Sequence, residues 1–199
     1  MKTITYLIFS LALSSLALAQ VTMGVDVFNR YVWRGTDFGN SASVQPSIEY
    51  ALGAVTIGAW GAWSVSGAPG GNENDLFLST SVGPVGLTIT DYFFPAYAGN
   101  DDIFTLDNHV IELSAGMDLG PIATLVAYNV SGDDDNSAYV ELGYGPVTLG
   151  MGNGFYTVGD DPDFGMVSLG ISASRDIYSV SYILNPEQET SFLVFGISL

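Results

Sequence analysis

Residues 111–122 read Ile-Glu-Leu-Ser-Ala-Gly-Met-Asp-Leu-Gly-Pro-Ile, and the fold follows from this stretch. Ile111, Leu113, Ala115 and Met117 fall on one parity, and Glu112, Ser114, Gly116 and Asp118 on the other. Side chains of a strand point alternately to its two faces, so a period of two marks a strand with one apolar side. Gly120-Pro121 then ends the run in a tight turn. Both features recur. Val44, Pro46, Ile48, Tyr50 and Leu52 interleave with Gln45, Ser47 and Glu49, and Val167, Leu169, Ile171 and Ala173 with Ser168, Gly170 and Ser172. The turn returns as Leu52-Gly53-Ala54-Val55, Val82-Gly83-Pro84-Val85 and Tyr144-Gly145-Pro146-Val147, and Ser174-Arg175-Asp176-Ile177 supplies a fifth. Longer polar segments alternate with these turns, at 36–42, 66–74, 95–108, 131–136, 158–164 and 185–188. Five short turns and six long loops imply twelve strands, with both termini at the short-turn end. At ~9–11 residues per tilted spanning strand, the chain length supports ten to twelve.

Composition says where such strands reside. Of 199 residues, 48% are hydrophobic and only 13% charged, with 21 acidic against 4 basic side chains and a formal charge of −17. Met1–Ala19 reads as a signal peptide: Lys2 is the positive start, Ile4 to Leu13 the apolar stretch, and Ala17-Leu18-Ala19 the cleavage site. Cleavage after Ala19 leaves residues 20–199 as one domain, whose basic residues are Arg30, Arg34 and Arg175 alone. A water-soluble domain carries ~25–35% charged residues of both signs on its surface. The mature sequence has too few charges for that, and it lacks the ~18 consecutive apolar residues of a spanning helix. The fold class expected is all-β: a transmembrane antiparallel up-and-down β-barrel of the bacterial outer membrane. Nucleic acid is excluded as a partner by the scarcity of Lys and Arg. The absence of cysteine excludes disulfides, thiolate metal sites and a thiol nucleophile.

Parity assigns roles. Tyr31, Trp33 and Trp63 at the long-loop end, with Tyr50 and Tyr144 at the turn end, are expected as two aromatic girdles facing lipid. Asp26, Arg30, Arg34, Glu49, Glu112, Asp118 and Glu141 are expected to line the lumen, with Asp26 or a cross-strand carboxylate such as Glu49 as counter-ion for the arginines. Asp91 breaks the pattern, because strict alternation aims it at lipid; a bulge or an earlier strand end is expected. The loops are expected to hold Glu73, Asp75, Asp101, Asp102, Asp107, Asp133, Asp134, Asp135, Asp160, Asp161 and Asp163 as solvated acids. Oxygen clusters such as Asp133–Asp135 are weak candidates for a divalent cation, but they lack the spacing of an EF-hand. No metal or cofactor is assigned. His109, the only histidine, would have to anchor any lipid-hydrolase site, yet no serine is tied to it by a motif.

Leu193, Phe195, Ile197 and Leu199 alternate to the carboxyl end, as in a closing strand that engages the barrel-assembly machinery. In the first strand, Asn29-Arg30-Tyr31-Val32-Trp33-Arg34-Gly35 followed by Gln45-Pro46 resembles the TorF-type porin family, whose pattern is Ser-Asp-Tyr-x-x-Arg-Gly. Tyr31, Arg34 and Gly35 match, whereas Asn29 and Arg30 depart. The resemblance implies an outer-membrane barrel named a porin for its shape, and it supplies no substrate. The expected function is passive diffusion of small hydrophilic solutes or ions with a preference for cations, among lipid and lipopolysaccharide. The alternatives are a closed structural or surface-interaction barrel and a lipid-modifying enzyme. Oligomeric state is left open. One consequence is directly measurable: protein extracted from the outer-membrane fraction should have an intact mass beginning at Gln20, and a mass retaining residues 1–19 would refute the signal-peptide reading.

Overall fold

A computed structural model describes residues 20–67, 70–95, 102–159, 161 and 163–199. Segment 1–19, expected as a signal peptide, and the expected loop acids Asp101 and Asp160 lie outside the described residues. The strands are β1 (Gln20–Phe28), β2 (Tyr31–Trp33), β3 (Thr36–Phe38), β4 (Ser43–Leu52), β5 (Val55–Ser64), β6 (Glu73–Val82) and β7 (Val85–Phe93). They continue as β8 (His109–Leu119), β9 (Ile122–Ser131), β10 (Ala138–Tyr144), β11 (Val147–Gly152), β12 (Gly165–Arg175), β13 (Tyr178–Asn185) and β14 (Thr190–Ser198). All except β2 and β3 form one closed antiparallel barrel of twelve strands, in which β1 pairs with β4 on one side and β14 on the other. No helix among the described residues is long and apolar enough to cross a membrane.

The tight turns have one chemistry. Gly53, Gly83, Gly120 and Gly145 take positive φ of 56° to 63°, and in three of them the next residue is Pro, whose ring fixes φ negative. Positive then negative φ is the pattern of a type II′ turn, whose twist matches that of the flanking strands. Pro84, Pro121 and Pro146 are thus turn residues, and the strands start one residue later. Asp176 (φ 55°) fills the same place in the fifth turn.

Alternation sorts the two faces. The outer face is large and apolar: Met23 is 74% exposed and Leu193 63%, and Ile48, Leu76, Val126, Leu142 and Tyr182 continue the band. Trp63 and Tyr144 stand exposed on this face at opposite ends, and Tyr50 faces outward near the turn end, half-buried. The inner face is built of small residues, with aromatic rings where a neighbouring strand offers glycine. Phe77 lies across from Gly58, where a Cβ would come within 2.1 Å of its ring, and Tyr139 lies over Gly150 in the same way.

Two register slips interrupt the ladder, at Gly150/Met151 between β11 and β12 and at Ile111/Glu112 between β8 and β9. At the first, the extra residue turns Val167 inward, where it is fully buried against Ala127, Tyr139 and Tyr156. Val167 therefore belongs to the lumen core, because a bulge reverses parity. Asp91 does face outward, without a bulge or an early strand end: β7 runs on to Phe93.

The closing seam is short. Asp26, Val27 and Phe28 pair with Ser198, Ile197 and Gly196, and Val25 exchanges backbone bonds with Leu199. Where β1 ends, Asn29 takes over. Its backbone N–H donates to Phe195 O (3.0 Å), its Oδ1 accepts from Phe195 N (2.7 Å), and its Nδ2 donates to Leu193 O (3.2 Å). The side-chain amide thus stands in for the next peptide unit while the main chain turns away. Removing those two bonds by Asn29→Ala should cost about 1–3 kcal/mol and lower the temperature at which the barrel loses its heat-modifiable migration. Deleting residues 195–199 removes the seam itself, leaving unpaired strand edges, and should abolish the folded form.

Candidate functional site

Beyond Asn29 the chain enters the barrel. Strands β2 and β3 form a hairpin whose turn residues, Arg34 (φ 48°) and Gly35 (φ 85°), both have positive φ, the arrangement of a type I′ turn. Asn-Gly is the usual occupant. Here arginine bears the strained conformation, and its guanidinium contacts hold it there.

Tyr31, Arg34 and Gly35 anchor the hairpin to three parts of the wall. The Tyr31 hydroxyl donates to Glu73 Oε2 on β6 at 2.7 Å. Arg34 grips Glu112 on β8 with two parallel bonds, Nη1 to Oε2 at 2.5 Å and Nη2 to Oε1 at 3.0 Å. The Asn185 side chain on β13 donates to Gly35 O, and a Cβ on Gly35 would sit 1.9 Å from Val167 O on β12. β6 and β12 lie six positions apart in the ring of twelve, so the hairpin bridges opposite walls.

Around Arg34 the lumen is aromatic. The guanidinium carbon lies 4.3 Å from the Trp33 ring centre, 4.4 Å from Tyr139 and 5.3 Å from Tyr156. Glu112 is 2% exposed and also accepts from the Tyr92 hydroxyl at 3.2 Å and the Tyr156 hydroxyl at 3.4 Å. A carboxylate sealed from water needs such donors, since an unpaired buried charge costs several kcal/mol. The second arginine, Arg30, pairs with Asp37 across the hairpin and rests over the Phe192 ring.

Several expectations change accordingly. Tyr31 and Trp33 are not girdle residues: β1 stops at Phe28, and the chain carries both rings into the lumen against Trp60 and Tyr92. Arg30 and Arg34 are inside, but on the hairpin instead of the wall, and their partners are Asp37 and Glu112 instead of Asp26 or Glu49. Segment 36–42 is not an external loop throughout, because β3 lies in the hairpin. Glu73 and Asp75, read as loop acids, begin β6 and are buried in the lumen. No sequence motif marks that change; only the parity they share with Phe77 and Ser79 does. Asp26, Glu49, Asp118 and Glu141 keep the lumen-facing parity expected of them, and Glu141 accepts from the Tyr139 hydroxyl at 2.9 Å.

Outside the barrel, His109 and Asp91 form a pair, Nδ1 to Oδ1 at 2.7 Å, while Nε2 contacts Ile103 O at 2.8 Å. Both ring nitrogens are therefore engaged. In the 131–136 segment, Asp133 receives the Asn129 side chain (2.8 Å) and the backbone N–H groups of Ser137 and Asp135. Burial pushes its carboxyl up, but the Ser137, Asn129 and backbone hydrogen bonds outweigh that and hold it below the ordinary range. Asp133 is a loop staple; Asp134 and Asp135 are exposed beside it. Among the described residues no group of three or more His, Cys, Asp or Glu is placed to hold a metal.

Breaking one partner of a buried ion pair typically costs about 3–5 kcal/mol, whereas replacing both with apolar residues is close to neutral. Arg34→Met should therefore destabilise the barrel far more than Arg34→Met with Glu112→Leu, read by chemical unfolding in lipid vesicles. Trypsin gives an independent reading: loosening the hairpin should expose the Arg30 bond to cleavage in Arg34→Met, while in the native protein that bond resists.

No curated protein and no solved structure matches the chain. A family model described as a bacterial protein of unknown function matches residues 15–174, which include the hairpin, both of its arginines and all the wall strands from β1 to β11. The chain belongs to this Gcw_chp family.

Proposed function

We propose that the protein is an outer-membrane barrel through which small cations diffuse past a fixed internal hairpin. The outer face supports membrane residence: a continuous exposed apolar band of this extent is a liability in water and a match for lipid. On this reading the exported chain sits among lipid and lipopolysaccharide, and its closing strand is the segment that engages the barrel-assembly machinery. The TorF-type porin resemblance fits the same picture, since its Tyr-x-x-Arg-Gly residues are the anchors of the hairpin.

The observation that carries cation preference is the charge balance of the lumen. Arg30 and Arg34 are consumed by Asp37 and Glu112. Asp26, Glu49, Asp118 and Glu141 have no arginine ion pair among the described residues. Fixed negative charge along a narrow, partly desolvated path favours cations and repels anions. A second reading, a closed structural barrel, is favoured by the Trp33 ring packed on Tyr92 beside the Arg34–Glu112 bridge, which together obstruct the long-loop end. The hydrolase alternative gains no support at His109, whose two nitrogens both face acceptors, Asp91 Oδ1 and Ile103 O.

Reversal potentials across a KCl gradient in planar bilayers test this. The wild type should be cation-selective. Glu49→Gln with Asp118→Asn should reduce selectivity even in molar salt, where screening acts within ~3 Å and only charges along the path itself still count. Changing Asp133–Asp135 to Asn should matter only in dilute salt. Replacing residues 30–38 with a Gly-Ser linker should raise conductance. A wild type that is silent, beside a linker variant that conducts, would give the case to the closed barrel; anion selectivity would overturn the charge argument.

A further inference from the structure

Below the hairpin lies a lumen cavity of about 480 Å³ whose lining includes Tyr31, Trp60, Phe77 and Tyr92 as well as Glu73 and Asp75. Its chemistry is unusual for the inside of a barrel. Glu73 and Asp75 are neighbours on one face of β6, 2% and 7% exposed. Glu73 Oε2 has the Tyr31 hydroxyl as donor. Among the described residues no N–H or hydroxyl donor reaches the buried Asp75 Oδ1, and the Asp75 carboxyl lies within hydrogen-bond reach of the Glu73 carboxyl. Trp60 sits directly across the β5–β6 pair from Asp75, and Tyr31 packs on Trp60 with ring centres 5.6 Å apart. Arg30, which also borders the cavity, is held by Asp37 and does not serve this acceptor.

We propose that this cavity binds a primary or secondary alkylammonium ion, with an N–H directed to Asp75 Oδ1, its charge balanced by the two carboxylates and its alkyl portion against the rings. The inference rests on the reading that cations enter the lumen, and it names the class of cation that dwells there. Three features select this class. The orphan acceptor asks for a donor, and a fixed cation offers a stronger one than a neutral hydroxyl. Aromatic faces attract organic cations through their quadrupoles and give an alkyl chain apolar contact. A hard divalent ion wants six or more oxygen ligands, whereas only two carboxylates line this cavity, beside six aromatic rings.

Isothermal titration of the detergent-extracted protein with n-butylammonium tests the site at constant ionic strength, with n-butanol as the neutral analogue and tetramethylammonium as the cation lacking N–H. Trp33 and Trp60 border the cavity and Trp63 does not, so a tryptophan fluorescence change gives a second signal. Butylammonium should bind saturably, butanol should not, and tetramethylammonium should bind more weakly. Asp75→Asn, close in size, should weaken butylammonium about tenfold or more, equivalent to at least ~1.4 kcal/mol, with heat-modifiable migration confirming that the variant folds. Trp60→Leu should weaken it as well. Equal binding of butanol, equal displacement by sodium at the same concentration, or unchanged affinity in Asp75→Asn would each overturn the proposal. A cation-selective channel that ignores butylammonium would sink this inference and spare the proposed function. Butylammonium binding to a barrel that never conducts would do the reverse.

Discussion

The bidentate contact between Arg34 and Glu112 organises the interior. Arginine occupies a left-handed turn position that it would not choose alone, and glutamate lies where water cannot solvate it. Each is tolerable only because of the other. The contact fixes the hairpin tip at the height of Tyr92, Tyr139 and Tyr156, whose hydroxyls and rings complete the shell around both charges. Tyr31 and Gly35 hold the other sides, so the tip is triangulated between walls instead of hinged from one.

This arrangement divides the barrel into unlike halves. Toward the long loops, rings and hydrogen bonds fill the lumen. Toward the short turns, the inner face carries Thr22, Gly24, Ser79, Ser114, Gly116, Ser172 and Ser179, too small to meet across the bore. Carboxylates punctuate this lower wall at Glu49 and Asp118, both exposed to solvent. The interior therefore grades from wet, acidic and wide to dry, aromatic and narrow.

The barrel was legible in the sequence because its two signals are local. Alternation and Gly-Pro turns each act within a few residues, and stretches such as 111–122 carry both. The hairpin was illegible for the same reason. Tyr31 and Trp33 continue the parity of Val25 and Val27 through Asn29-Arg30, so nothing local distinguishes a strand that continues from one that ends. What ends it is Asn29 bonding to β14, a partner more than 160 residues away. Glu73 and Asp75 misled in a related way: two carboxylates next to Asn72 and Asn74 have the composition of a loop, and only their distant partners Tyr31 and Trp60 make them wall residues. Val167 escaped because a bulge inverts parity without altering composition.

The hairpin's contacts also constrain the order of assembly. Its residues lie near the beginning of the chain, yet they bond to Asn185 across 150 positions, to Tyr156 across 122 and to Glu112 across 78. Contacts this remote in sequence form late and slowly, because the intervening chain must first be confined. Asn29 clasps the last strand at the seam, directly before the segment that turns inward. Docking the hairpin and zipping the seam thus draw on neighbouring residues of one short stretch, Asn29 for the seam and Tyr31 to Gly35 for the docking. A tip that leans on Asn185 and on the Val167 carbonyl has no complete seat until β12 and β13 stand in the wall, so the interior is finished only by the strands that also finish the ring.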